Sequence, residues 1–96
     1  MPNFTFTPEA LNDLTEIVKY TVAEWGKPQA RTYVDGLKLV SNRLADQPSI
    51  GKNRPELARE LYSFPYASHI LFYTETLKGI IIVRVLHKNM DISQQF

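Results

Sequence analysis

Gly79-Ile80-Ile81-Ile82-Val83-Arg84-Val85-Leu86-His87 is the stretch that decides the fold, and Lys88-Asn89-Met90-Asp91 follows it. Three consecutive isoleucines and two flanking valines favour a strand over a helix, because β-branched side chains fit a pleated surface. A run that is apolar on both faces belongs in the middle of a sheet. Arg84 is the exception within it. A guanidinium there must reach water, a carboxylate or a ligand. Alternation puts Ile81, Val83, Val85 and His87 on one face, and Ile80, Ile82, Arg84 and Leu86 on the other. The fully apolar row is expected to face the helices, so Arg84 is expected on an open sheet face. There it pairs with a carboxylate such as Glu75 or Asp91, or it contacts a phosphate or a partner's carboxylate.

Two more strands precede this one. Leu61-Tyr62-Ser63-Phe64 ends at Pro65, and His69-Ile70-Leu71-Phe72-Tyr73 follows. Thr76-Leu77-Lys78-Gly79 reads as a hairpin turn. Such short connections predict an antiparallel meander. Upstream, Ser49 to Glu60 is polar and reads as a loop, with a helical turn at Glu56-Leu57-Ala58-Arg59.

The first half is helical. Thr7-Pro8 is a threonine N-cap followed by proline at the first helical position. Glu9 and Asp13 put negative charge near the positive end of the dipole. Leu11, Leu14, Val18, Thr21, Val22 and Trp25 recur at three- and four-residue spacing as an apolar stripe, and Gly26 stops the helix. Pro28 opens a second helix with the stripe Ala30, Tyr33, Val34, Leu37, Val40 and Leu44, and Pro48 closes it. So short a link forces an antiparallel helix hairpin. Before it, Phe4-Thr5-Phe6-Thr7 alternates as a short strand. The predicted architecture is α+β in two layers: an N-terminal strand, a helix hairpin, then a three-stranded antiparallel meander.

Ninety-six residues, 44% of them hydrophobic, suit one domain over residues 1–96. Net charge is +1, from 11 basic and 10 acidic residues, which argues against a strongly electrostatic nucleic-acid binder. Without cysteine there is no disulfide and no thiolate metal site, which suits the cytoplasm. Met1-Pro2-Asn3-Phe4 lacks a signal-peptide pattern, and no apolar run reaches the roughly 20 residues that a membrane span needs. His69 and His87 are the only histidines. They can approach across the sheet, yet no metal-ligand spacing surrounds them. There is no phosphate loop, nucleophile elbow or carboxylate pair. Lys52, Arg54 and Arg59 form a basic cluster that reads as a solvated loop or a phosphate-contacting rim.

Several segments together resemble the ParE toxins of type II toxin–antitoxin modules, within the RelE/ParE superfamily. They are Leu14-Thr15-Glu16-Ile17-Val18-Lys19-Tyr20 with Glu24-Trp25-Gly26; Gln29-Ala30-Arg31-Thr32-Tyr33; Leu44-Ala45-Asp46-Gln47-Pro48-Ser49-Ile50-Gly51; Ser63-Phe64-Pro65 followed by His69-Ile70-Leu71-Phe72-Tyr73; and Arg84-Val85-Leu86-His87-Lys88-Asn89-Met90-Asp91. The resemblance implies the fold just described and a protein inhibitor rather than an enzyme. It implies poisoning of DNA gyrase, neutralisation by a ParD-type ribbon-helix-helix antitoxin in a hetero-oligomer, and joint repression of the shared operon. DNA is then met only through the antitoxin or gyrase, and no cofactor, metal or membrane is involved. Trp25, Tyr33, Arg59, Tyr73 and Arg84 are the expected antitoxin contacts. His87, Lys88, Met90 and Asp91 are the expected target contacts. The alternative is the RelE branch, which cuts messenger RNA on the ribosome. In that case Arg59 and Arg84 stabilise charge and His87 moves the proton. Near-neutral charge, a tail without tyrosine, and Arg84 and His87 on opposite faces all weigh against it.

Overall fold

A computed structural model describes residues 3–96. Met1 and Pro2, part of the start read above for a signal peptide, lie outside the described residues. The elements run β1 (Asn3–Phe6), α1 (Pro8–Trp25), α2 (Lys27–Asp46), β2 (Lys52–Asn53), β3 (Tyr62–Tyr66), β4 (His69–Thr76) and β5 (Gly79–His87). Short 3-10 turns occupy Pro48–Ile50 and Ile92–Gln95. Among the described residues, no helix is long and apolar enough to cross a membrane.

The α+β class is as read, but the sheet is larger than a three-stranded meander. It has five strands in the order β1-β5-β4-β3-β2. The meander β3-β4-β5 is antiparallel, and β1 adds to β5 in parallel, Asn3 opposite Gly79 through Phe6 opposite Ile82. Two residues, Lys52 and Asn53, supply β2 against Ser63 and Tyr62. Pro65 does not end β3. It sits opposite Ile70 at a point that β2 does not reach, so its missing N–H leaves no ladder bond unmade.

Local chemistry explains the helix ends. Thr7 Oγ1 accepts from the Ala10 N–H at 3.1 Å and donates to the Val83 carbonyl at 2.7 Å. One side chain thus caps α1 and fixes its start to the rim of β5. Gly26, at φ 90°, is the only residue between the helices, and its N–H donates to the Val22 carbonyl. Only a residue without Cβ turns there freely.

The buried stripe of α1 is turned from the predicted one. Ala10 and Thr21 are buried, with Leu14 and Ile17 against the core. Leu11 is 50% exposed and Trp25 71% exposed. The stripe on α2 is nearer the reading: Ala30, Leu37, Ser41, Leu44 and Ala45 are buried.

A bulge sets the faces of β5. Phe72 opposes Arg84 while Tyr73 opposes Ile82, leaving Val83 as an extra residue. Ile80, Ile82 and Val85 therefore pack together with Leu37 and Leu44 beneath the helices. Val83 and Leu86 join the opposite face with Phe72. The strict alternation expected from the sequence holds only on each side of the bulge. That opposite face is not bare either. Leu57, Ala58 and Leu61 from the 54–61 loop and Ile92 from the C-terminal turn cover it, and Phe96 lies 5.0 Å from the Phe72 ring. Burial on both faces explains why β4 and β5 are apolar almost throughout.

Candidate functional site

Arg84 follows the bulge, where β1 has already stopped pairing at Ile82. The first turns of α1 close that open edge. Asp13 accepts from Arg84 Nε at 2.7 Å, from Arg84 Nη2 at 2.9 Å and from the Val85 N–H at 3.0 Å. Arg84 Nη1 reaches Gln95 Oε1 in the tail at 3.5 Å. The hydrogen bonds to Asp13 are the largest of the influences that raise the Arg84 pKa. The carboxylate expected for Arg84 was Glu75 or Asp91; the structure supplies Asp13, whose only legible role had been to offset the helix dipole. A forked guanidinium already held in this way has little left for a partner.

The aromatic residues gather elsewhere. At one end of the molecule, α1, α2 and the β4–β5 rim enclose a cleft of about 610 Å³. Tyr20 and Trp25 of α1, Tyr33 of α2, His69 of β4 and His87 of β5 line it, with Ser68 from the β3–β4 turn. Trp25 is 71% exposed and Tyr20 64% exposed, an unusual display of aromatic area beside a concavity.

Separate hydrogen bonds and ring contacts hold the residues at the base of this cleft. Tyr66 Oη donates to the Tyr33 carbonyl at 2.7 Å. Tyr33 Oη lies 3.1 Å from His69 Nδ1. His69 and His87 are cross-strand partners with ring centroids 5.3 Å apart, edge to face. The Asn89 N–H donates to His87 Nδ1 at 3.1 Å. Burial, and then the neighbouring His87 charge, lower the pKa of His69. Burial, with Tyr66 beside it, pushes the Tyr33 hydroxyl well up, so it stays protonated and able to donate.

Three of the residues singled out from sequence, Trp25, Tyr33 and His87, thus meet in one cleft. Tyr73 does not join them. It is fully buried, stacked on Tyr62 at 5.7 Å, and donates to the Pro48 carbonyl at 2.7 Å, so it has no surface to offer as an anchor. Arg59 is exposed in the loop that covers the outer sheet face, and Lys88, Met90 and Asp91 are exposed beyond β5. The cleft that His87 lines includes neither Arg59 nor Arg84. Tyr20 and Ser68 escaped the sequence reading, since each becomes informative only when the helix hairpin closes on the sheet. Among the described residues, no three His, Asp, Glu or Cys side chains gather as a metal site requires.

This fold and cleft define a small two-layer α+β domain with an aromatic recess between its helix hairpin and its sheet. The sequence pattern described as "ParE toxin of type II toxin-antitoxin system, parDE" matches residues 4–92, and the chain belongs to that family. It is 36% identical over 92 residues to toxin ParE1 of Mycobacterium tuberculosis, covering 95% of this chain and 94% of that one. It is 32% identical over 93 residues to toxin ParE of Escherichia coli, covering 96% and 90%. A solved structure described as "Chromosomal ParDE TA system from P. aeruginosa" superimposes with a TM-score of 0.73 at 20% identity, over 91% of this chain and 96% of that one, which places the fold.

Proposed function

We propose that this ParE-family toxin acts in the cytoplasm by poisoning DNA gyrase. A ParD-type antitoxin with a ribbon-helix-helix DNA-binding half neutralises it, and the two together repress their operon. The observation that carries this reading is the family match across residues 4–92, which takes in both helices, β2 to β5 and all of β1 but its first residue. The antitoxin tail folds as it binds, so apolar burial must offset its ordering entropy. The aromatic cleft with Trp25 and Tyr33 is the natural track for it. Arg59 and the tail residues Lys88, Met90 and Asp91 stay available to a partner.

The ribonuclease alternative draws less support. It needs Arg59, Arg84 and His87 around one scissile phosphate. Arg84 is occupied by Asp13, and His87 lines a cleft without either arginine. The deciding experiment adds purified protein to gyrase with plasmid DNA and, in parallel, to translating ribosomes. Cleaved DNA that persists in a protein-linked form is the expected result. Cleaved messenger with untouched DNA overturns the proposal.

A further inference from the structure

The His69–His87 pair has a property that the toxin reading does not use. Both Nδ1 atoms are engaged from behind, by Tyr33 Oη and by the Asn89 N–H. A backbone N–H can only donate, so His87 Nδ1 is an acceptor and the neutral ring carries its proton on Nε2. At His69 the partner is a hydroxyl, which can give its proton to Nδ1 and so leave the ring proton on Nε2 there too. Neither Nε2 has a protein partner among the described residues, and neither is among the buried unpaired atoms. With that hydroxyl donating, two N–H donors on adjacent strands stand open at the cleft, held in place by their own second nitrogens. At His87 this tautomer also argues against a metal, which needs an unprotonated Nε2.

We infer that the His69–His87 pair is a binding site for a single carboxylate attached to an apolar group, as in an acidic peptide segment whose hydrophobic side chain lies on Trp25 and Tyr20. The carboxylate accepts from the two imidazole donors, and the aromatic wall takes the apolar part. A bound anion stabilises an imidazolium, and His69 is the ring that can take up the proton, because the Tyr33 hydroxyl at its Nδ1 can turn to accept, so binding tightens as pH falls. The other titratable groups facing the pair are Glu16 and Tyr20 from α1 and Tyr33 from α2, which Tyr66 of β3 backs. Glu16 is the only acid among them, and it sits 3.6 Å from Lys19. For the identity of the peptide, a segment of the antitoxin, the inference rests on the proposed function; the site itself does not.

The test uses 3-phenylpropionate as the probe and 3-phenylpropionamide as its neutral match. Each is titrated into the full chain while NMR follows the imidazole signals of His69 and His87 and the indole N–H of Trp25. The acid is expected to shift all three and to bind more tightly at about pH 6 than at about pH 8, by at most about tenfold per pH unit for one proton. The amide is expected to bind weakly and without pH dependence. His69→Gln keeps a donor but cannot titrate, so it should reduce the pH effect to less than about twofold. Trp25→Ala, at an exposed position, should weaken the acid about threefold with the fold intact. Equal binding of acid and amide, shifts that avoid both histidines, or self-association through Trp25 that needs no carboxylate would each overturn the inference. A protein inert toward gyrase leaves these readouts unchanged, so the two proposals fail separately.

Discussion

Asp13→Ala tests what holds the helix layer to the sheet beyond the end of β1. The substitution removes an acceptor that serves three donors, two on Arg84 and one on the Val85 backbone. Hydrogen bonds to a charged group contribute about 1.5–3 kcal/mol each, but three on one carboxylate do not add. Removing one partner of a fully buried pair costs about 3–5 kcal/mol, because the other charge is stranded. Here the side chains are 21% and 12% exposed, so Arg84 regains some water. That places the loss near the lower end, at about 3 kcal/mol. For a domain of this size each kcal/mol moves Tm by roughly 4–8 °C, which makes the expected drop about 15 °C. Urea unfolding followed by circular dichroism should give the same loss with an unchanged m-value. The double variant Asp13→Ala with Arg84→Met leaves no stranded charge and should recover part of the loss. A single-variant cost below about 1 kcal/mol, or a double variant that loses the sum of both singles, would refute the reasoning.

Three further expectations concern the core and the cleft. The pKa of His69 is lowered in the fold, so the unfolded chain takes up the proton first as pH falls. Its stabilising contribution is complete above about 6.5 and is lost below that, down to the folded pKa; His69→Gln should flatten a plot of Tm against pH over this window, and an unchanged slope would remove His69 as the cause. Ser41 Oγ is buried with no partner, so Ser41→Ala should raise stability by about 1 kcal/mol in urea titrations, whereas a loss would mean the hydroxyl has an acceptor after all. Gly79 sits at φ 144°, and a Cβ there would come within 1.8 Å of the Asn3 carbonyl oxygen, so Gly79→Ala should detach β1 from β5. Hydrogen exchange should then accelerate at the β1–β5 pairing amides, and preserved protection would contradict that account.

Local chemistry was enough for part of this molecule. Thr7-Pro8, Gly26, Pro28 and Pro48 bound the two helices because caps and breakers act over one turn of chain. The β-branched run before Arg84 marked a central strand for an equally local reason. Trp25, Tyr33 and His87 could be named as candidates, and the approach of His69 to His87 could be anticipated as possible across a hairpin. Tertiary structure decided the rest, since the remaining choices depend on residues far apart in sequence. Asp13 and Arg84 are 71 residues apart, and nothing near either one marks them as a pair. The bulge at Val83 reversed half of a face assignment that alternation alone could not correct. Coverage of the outer sheet face by the 54–61 loop and the tail turned an expected open platform into a second packed surface. A chain's own periodicity tells which residues want burial; which surface buries them is set by the elements that arrive from elsewhere.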